Sequence, residues 1–309
     1  MFSRLKKKIK SYLYDLFINY RYKKIIRDSK LIAYPIKPDS KHLESLLSKL
    51  NQDGIIEIKN YDLSDNINNF NENNFLKNQS TNLFENSPVY VEPKVFTKDS
   101  IVEKIINDND ILFLIKSYLG ADALLDMISL SVTEFKSDKE IISEKWHYDN
   151  VGKRLKLFLY LNSNDKISTD YILTTNKLTH NNFSMTGSRI KNEKAKKLEK
   201  KIKNFFPTQG SLILFDTNGI HRGNYSQLNK SITKSKFRIM LKFEFSSKNK
   251  SEKFYGKNEN IGPRSTFFSE DFNFGNFKLI DKEYLTKIKN FYFYDKSYTL
   301  NRWYKFNLN

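Results

Sequence analysis

The sequence predicts a mainly β domain with helical cover, an α+β arrangement built on a β-sandwich or barrel. Three observations carry that expectation. Apolar residues recur at helical spacing in several stretches before residue 120, and from Leu124 onward the pattern changes to short alternating runs bounded by turn residues. The chain of 309 residues is 39% hydrophobic and 15% aromatic, enough to fill a sizeable interior.

Residues 1–30 read as a basic amphipathic helix. Phe2, Leu5, Ile9, Tyr12, Leu13, Leu16 and Phe17 share a stripe, while Lys6, Lys7, Lys8 and Lys10 fall largely elsewhere. Residues 31–309 are expected to form one domain, with the strand-rich core at about 120–246 and an aromatic segment at 247–309. Within it a helix is predicted from Ser40 to about Leu50, started by Pro38 and Asp39 and stopped by Gly54, and a strand follows through Ile55, Ile56 and Ile58. The Asn- and Ser-rich stretch 60–90 reads as a long loop. Two helices are expected at 98–107 and 109–119, the second closed by Gly120. Strands are expected at 124–135, 144–149, 154–161, 169–174, 211–216 and 236–246, interrupted by a lysine-rich helical insert at 189–204.

The chain has no cysteine, which excludes disulfides, thiolate zinc sites and a thiol nucleophile. Its net charge of +18 suits an acidic partner, but the excess is almost all lysine and accompanies abundant Asn, Ile, Phe and Tyr. Arginine, which grips phosphates and base edges bidentately, is scarce, so a nucleic-acid partner is disfavoured. No run of about 18 apolar residues is present and the basic N-terminus lacks the pattern of a secretory signal. The expected location is therefore cytoplasmic; residues 1–30 are read as packing their apolar stripe on their own domain, with peripheral contact on an anionic membrane as the alternative.

Of the four histidines, His42, His147, His180 and His221, two fall in informative surroundings. Trp146-His147-Tyr148-Asp149 sets a histidine and a carboxylate two apart in an extended segment, where side chains i and i+2 point the same way. A turn glycine, Gly210, feeds the apolar run Leu212–Asp216, and Thr217-Asn218-Gly219-Ile220-His221 follows. Two imidazoles and one carboxylate on one face of an octahedron make the open triad of non-haem iron(II) oxygenases. The His-Glu-x-x-His helix of many zinc hydrolases is absent. In Phe237-Arg238-Ile239-Met240-Leu241-Lys242-Phe243, Arg238 shares a strand face with Met240 and Lys242, and a buried guanidinium there needs an anionic partner. Lys156 shares its face with Arg154, Phe158 and Tyr160. A structural role stands beside the functional one for each: His42, flanking the Leu43 stripe, is read as structural, Trp146 as core packing, Arg238 as one half of an ion pair, and Lys156 as a surface lysine.

Taken together, W-H-Y-D, the alternating K-L-F-L-Y-L, G-S-L-I-L-F-D-T-N-G-I-H-R-G and F-R-I-M-L-K-F resemble the phytanoyl-CoA dioxygenase family over about residues 120–246. The resemblance implies a double-stranded β-helix (jelly-roll, cupin-like) core and an iron(II)- and 2-oxoglutarate-dependent dioxygenase. It places the metal on His147, Asp149 and His221, and the distal carboxylate of 2-oxoglutarate on Arg238; Lys156, from the strand face it shares with Arg154, is the residue set to assist either carboxylate. It implies O2 as a reactant and a small-molecule or carrier-linked substrate, for which the basic balance suits an anionic group. Retention of Asp149 implies hydroxylation rather than halogenation. The sequence departs from the family in a longer stretch between His221 and Arg238, and in Thr174–His180 where many members carry Gly-Pro before a Ser-His segment. Three rival readings stay open: a catalytically silent jelly-roll binding module, a cupin-type metal-dependent isomerase, although the His-x-His common in the latter is missing, and a basic membrane- or nucleic-acid-associated protein acting through residues 1–30.

Overall fold

The computed structural model describes residues 40–59, 61, 101–121, 123–134, 144–149, 154–163, 167–177, 190, 192–206, 208–224 and 237–247. The expected helix at 1–30, nearly all of the loop at 60–90, His180 and the aromatic segment beyond Ser247 lie outside these residues. Among the described residues, no helix is long and apolar enough to cross a membrane.

Helix α1 (Lys41–Asp53) begins where the Ser40 side chain accepts a hydrogen bond from the Leu43 N–H at 3.3 Å. It ends on Gly54, whose φ of 84° suits a residue without a Cβ and lets its N–H reach the Leu50 carbonyl. The chain turns directly into strand β1 (Ile55–Ile58). Helices α2 (Ile101–Asn107) and α3 (Asn109–Leu119) meet at Asp108. One Asp108 oxygen caps α3 through the Ile111 N–H at 2.9 Å, and the other accepts the Tyr61 hydroxyl.

The strands are β2 (Leu124–Glu134), β3 (Arg154–Tyr160), β4 (Ser168–Ile172), β5 (Ile202–Phe205), β6 (Leu212–Asp216), β7 (His221–Asn224) and β8 (Phe237–Ser246). They form two antiparallel sheets, a five-stranded one ordered β1-β6-β3-β8-β2 and a three-stranded one ordered β5-β4-β7. Alternation along β3 and β8 divides the larger sheet's two faces. Leu155, Leu157, Leu159, Ile239, Leu241, Phe243 and Phe245 pack under α1, α2 and α3, against Leu50, Ile105, Ile111, Leu114 and Leu119. The opposite face brings Tyr160, Ile213, Phe215 and Met240 against Tyr171 and Phe205 of the smaller sheet. Each fully buried leucine contributes roughly 1.5–3 kcal/mol of transfer free energy, so this face pattern fixes the register: a one-residue slip would invert it.

The expected strand at 144–149 is corrected. Residue 144 is in a 3-10 turn, and His147 makes an isolated bridge to His221 rather than a ladder. The lysine-rich insert is also corrected: it holds one short helix, α4 (Asn192–Lys196), a 3-10 turn at Glu199–Lys201 and then β5. β5 is an edge strand with exposed Lys203 and Asn204, a composition that discourages pairing with another chain and disguises the strand in sequence.

Candidate metal centre

Two backbone hydrogen bonds bring the distant histidines together. The His147 N–H donates to the His221 carbonyl at 2.9 Å, and the His221 N–H donates to the His147 carbonyl at 2.7 Å. Residues paired in this way project their side chains to one face. The two rings accordingly lie 4.3 Å apart between centroids. Asp149, two residues on, is held by its N–H on the Thr217 carbonyl at 2.9 Å.

The imidazole hydrogen bonds decide which nitrogen each ring offers. Nδ1 of His147 lies 2.7 Å from the Lys145 carbonyl, and Nδ1 of His221 lies 2.9 Å from the Gly219 carbonyl. A carbonyl only accepts, so each Nδ1 carries the proton and each Nε2 presents a lone pair. Nε2 of His147 is 3.9 Å from Oδ1 of Asp149, and Nε2 of His221 is 3.9 Å from its Oδ2. One ligand atom from each of the three residues lies within 4.8 Å of the other two. This donor set can hold a divalent ion.

A turn between β6 and β7 supports both sides of the cluster. The Asp216 carboxylate accepts the Tyr118 hydroxyl from α3 at 2.6 Å, and the Asn218 N–H and side-chain amide at 2.8 and 2.7 Å. The Tyr171 hydroxyl donates to the Asp216 carbonyl at 2.9 Å. From this turn the Thr217 carbonyl holds Asp149 and the Gly219 carbonyl holds His221. Phe215 and Tyr171 wall the His221 ring, with centroids 5.1 and 6.4 Å away. On the outer flank Arg222 stacks on Trp146 at 4.4 Å and donates to buried Asp170 at 3.0 Å, tying together the residues adjacent to the two histidines.

Cations from the larger sheet complete the surroundings. Nζ of Lys156 lies 2.5 Å from Oδ2 of Asp149 and 3.3 Å from Glu244, which also pairs with Arg154. Burial alone would raise the Asp149 pKa, but the charges of Lys156 and Arg154, joined by His221 and His147 when those imidazoles are protonated, hold it well below the usual carboxylate range. Lys242 has the opposite problem. Burial, reinforced by Lys156 and Arg238 and only partly offset by Asp149, lowers its pKa from 10.5 to about 7. Arg238 is 8% exposed on the same face of β8 as Met240 and Lys242.

Thus the structure brings His147, Asp149 and His221 together and sets Lys156 on the Asp149 carboxylate. His42 lies exposed on α1, and Trp146 is core. The sequence reading passed over Lys242, Glu244 and Arg154 as site residues. Their signal was the two-residue period along β8 and β3, but the pairing of Lys156 opposite Glu244 is visible only once the register is known.

The depressed Lys242 pKa makes a prediction with a defined sign. The unfolded lysine binds its proton up to about pH 10.5, whereas the folded one releases it near pH 7. The folded protein therefore carries a penalty that is full below pH 7 and fades as pH rises toward 10.5. Lys242→Met should stabilise the ligand-free protein at pH 6, by roughly 1–2 kcal/mol after discounting for solvent screening. Thermal unfolding from pH 6 to 10 checks this, and a gap independent of pH would refute it.

No family model and no curated protein sequence matches this chain. Several solved structures resemble it. EctD from S. alaskensis with bound Fe is 14% identical, with 71% of this chain and 82% of that chain covered and a TM-score of 0.48. SnoN, a non-heme alpha ketoglutarate dependent epimerase from nogalamycin biosynthesis, is 12% identical over 67% and 83%, with a TM-score of 0.45. EvdMO1 is 13% identical with a TM-score of 0.47; 67% of this chain is matched, spanning half the length of that protein. At this level of likeness the functional reading rests on the geometry of the site itself.

Proposed function

We propose that this chain is an iron(II)- and 2-oxoglutarate-dependent oxygenase built on a double-stranded β-helix. The observation that carries the reading is the convergence of two Nε2 lone pairs and one carboxylate, with both Nδ1 protons committed to backbone carbonyls. The chain's path supports the fold. From β3 it crosses to the smaller sheet for β4 and β5, returns for β6, crosses again for β7 and returns for β8. His147 bridges β7, so both histidines sit at the rim of the smaller sheet.

The donor set fits the ion, since two imidazoles and one carboxylate leave coordination positions open. With 2-oxoglutarate and O2, iron(II) held there would supply oxidative decarboxylation to succinate and CO2 coupled to hydroxylation of an unactivated carbon. The chain's own contribution is positional and electrostatic. Asp149 stays ionised at neutral pH because the Lys156 ammonium offsets its burial. Arg238, with Lys242 on the same face of β8, offers buried positive charge to a dianionic co-substrate, whereas Lys156 is taken up by Asp149 and Glu244; a guanidinium grips a terminal carboxylate bidentately. Phe215, Tyr171 and Phe158 give the space between the sheets an apolar lining that keeps water from the reacting carbon. The substrate is a small or carrier-linked molecule.

Anaerobic addition of iron(II) and 2-oxoglutarate to the apoprotein should produce a visible charge-transfer band that requires both. A folded protein that gives no band would overturn the reading. With the band in hand, mass spectrometry seeking the gain of one oxygen identifies the substrate.

A further inference from the structure

Glu244 lies outside the metal triad, yet it is 5% exposed and sits between two cations on the inner face of the larger sheet. A carboxylate so buried must be paired, and Arg154 alone would suffice for that. The second contact is the informative one. Nζ of Lys156 is shared between Glu244 at 3.3 Å and Oδ2 of Asp149 at 2.5 Å. The four side chains therefore form a row of alternating charge that runs Arg154, Glu244, Lys156, Asp149 and ends at the metal carboxylate.

A lysine ammonium on its four-carbon stem does not hold a position unaided. Here register does half the work, because Lys156 and Glu244 stand opposite one another on β3 and β8. Glu244 then fixes the ammonium from behind. With Lys156 on Oδ2, the Asp149 carboxylate is stopped from rotating, and its two oxygens face Nε2 of His147 and of His221 at 3.9 Å each. We propose that Glu244 is a positioning residue for the metal carboxylate, acting through Lys156, with Arg154 as its anchor. This inference rests on the reading of His147, Asp149 and His221 as a metal centre.

The test uses the full chain and Mn(II) alone, with binding followed by calorimetry and by the loss of the free-ion electron paramagnetic resonance signal. Glu244→Gln keeps a hydrogen-bonding partner for Arg154 and removes the charge that holds Lys156. It should weaken Mn(II) binding about tenfold, the usual scale for residues that orient a ligand from outside the coordination sphere. The same substitution placed on Lys156→Met should change the affinity less than twofold, because the intermediary is already gone. Should Glu244→Gln prove poorly folded, Glu244→Asp, which keeps the charge one methylene farther back, should give an intermediate weakening. Wild-type affinity in a folded Glu244 variant, even one with a lowered melting temperature, would reduce the row to scaffolding and overturn the proposal. An equal loss with and without Lys156 would also overturn it, by showing that Glu244 acts through its field alone. If the wild-type protein itself fails to bind Mn(II), the metal-centre reading falls first and this inference falls with it.

Discussion

Asp149→Ala should abolish metal binding while leaving a folded protein, and its stability defect should vanish in acid. Two imidazoles remain after the substitution, but the negative charge and the third ligand are lost together, so the affinity should fall at least about a hundredfold. Folding survives because Lys156 keeps Glu244 at 3.3 Å. The pH dependence follows from the position of the Asp149 pKa, held well below the usual range against the pull of burial by Lys156 and Arg154, joined by His221 and His147 when those imidazoles are protonated. A carboxylate depressed in the folded state contributes stability above its unfolded pKa of about 3.9 and loses it as pH falls through the folded value. Wild type should therefore exceed Asp149→Ala in melting temperature at pH 7 in the presence of a chelator, and the gap should narrow below about pH 4. Two outcomes would contradict this account: Mn(II) binding retained by the variant, or a variant more stable than wild type at neutral pH.

Much of this site could be read in the sequence because its parts are local. The His147–Asp149 spacing, the apolar run Leu212–Asp216 leading to His221 and the alternation along β3 and β8 each lie within a few residues. What local pattern did not reveal was partnership across the fold. His147 is extended without belonging to a ladder, since its one bridge is to a residue 74 positions away, and no propensity records that. Glu244 and Lys242 are ordinary alternating residues until β3 is laid beside β8. β5 was hidden for a different reason: an exposed edge strand is selected for charge, and Lys-rich sequence reads as helix. The helices were legible at their ends, where glycine closes them: the Gly54 and Gly120 N–H groups reach the Leu50 and Lys116 carbonyls, whereas the caps Ser40 and Asp108 stand out only in the structure.

The turn that carries the triad's supports should be the most sensitive backbone position in the site. A Cβ at Gly219 would stand 1.7 Å from the Tyr171 hydroxyl oxygen, 2.1 Å from Cζ and 2.8 Å from Cε2. Tyr171 cannot yield. Its ring is fully buried, packed edge-on against Phe215, and its hydroxyl is committed to the Asp216 carbonyl. The backbone must move instead, and this is the backbone whose carbonyls hold His221 through Gly219 and Asp149 through Thr217. Gly219→Ala should cost about 3 kcal/mol or more, at the upper end for overpacking, and should weaken Mn(II) binding in whatever fraction remains folded. Gly210→Ala is the matched control. Its Cβ meets nothing within 4 Å, so only the positive φ of 81° is penalised. That costs about 1 kcal/mol, and Mn(II) affinity should stay at the wild-type value. Denaturant unfolding and calorimetry on the two variants separate the cases. Equal stability for the pair would mean that the turn has room the structure denies it; lost stability with intact metal affinity in Gly219→Ala would mean that the carbonyls of this turn do not hold the ligands in place.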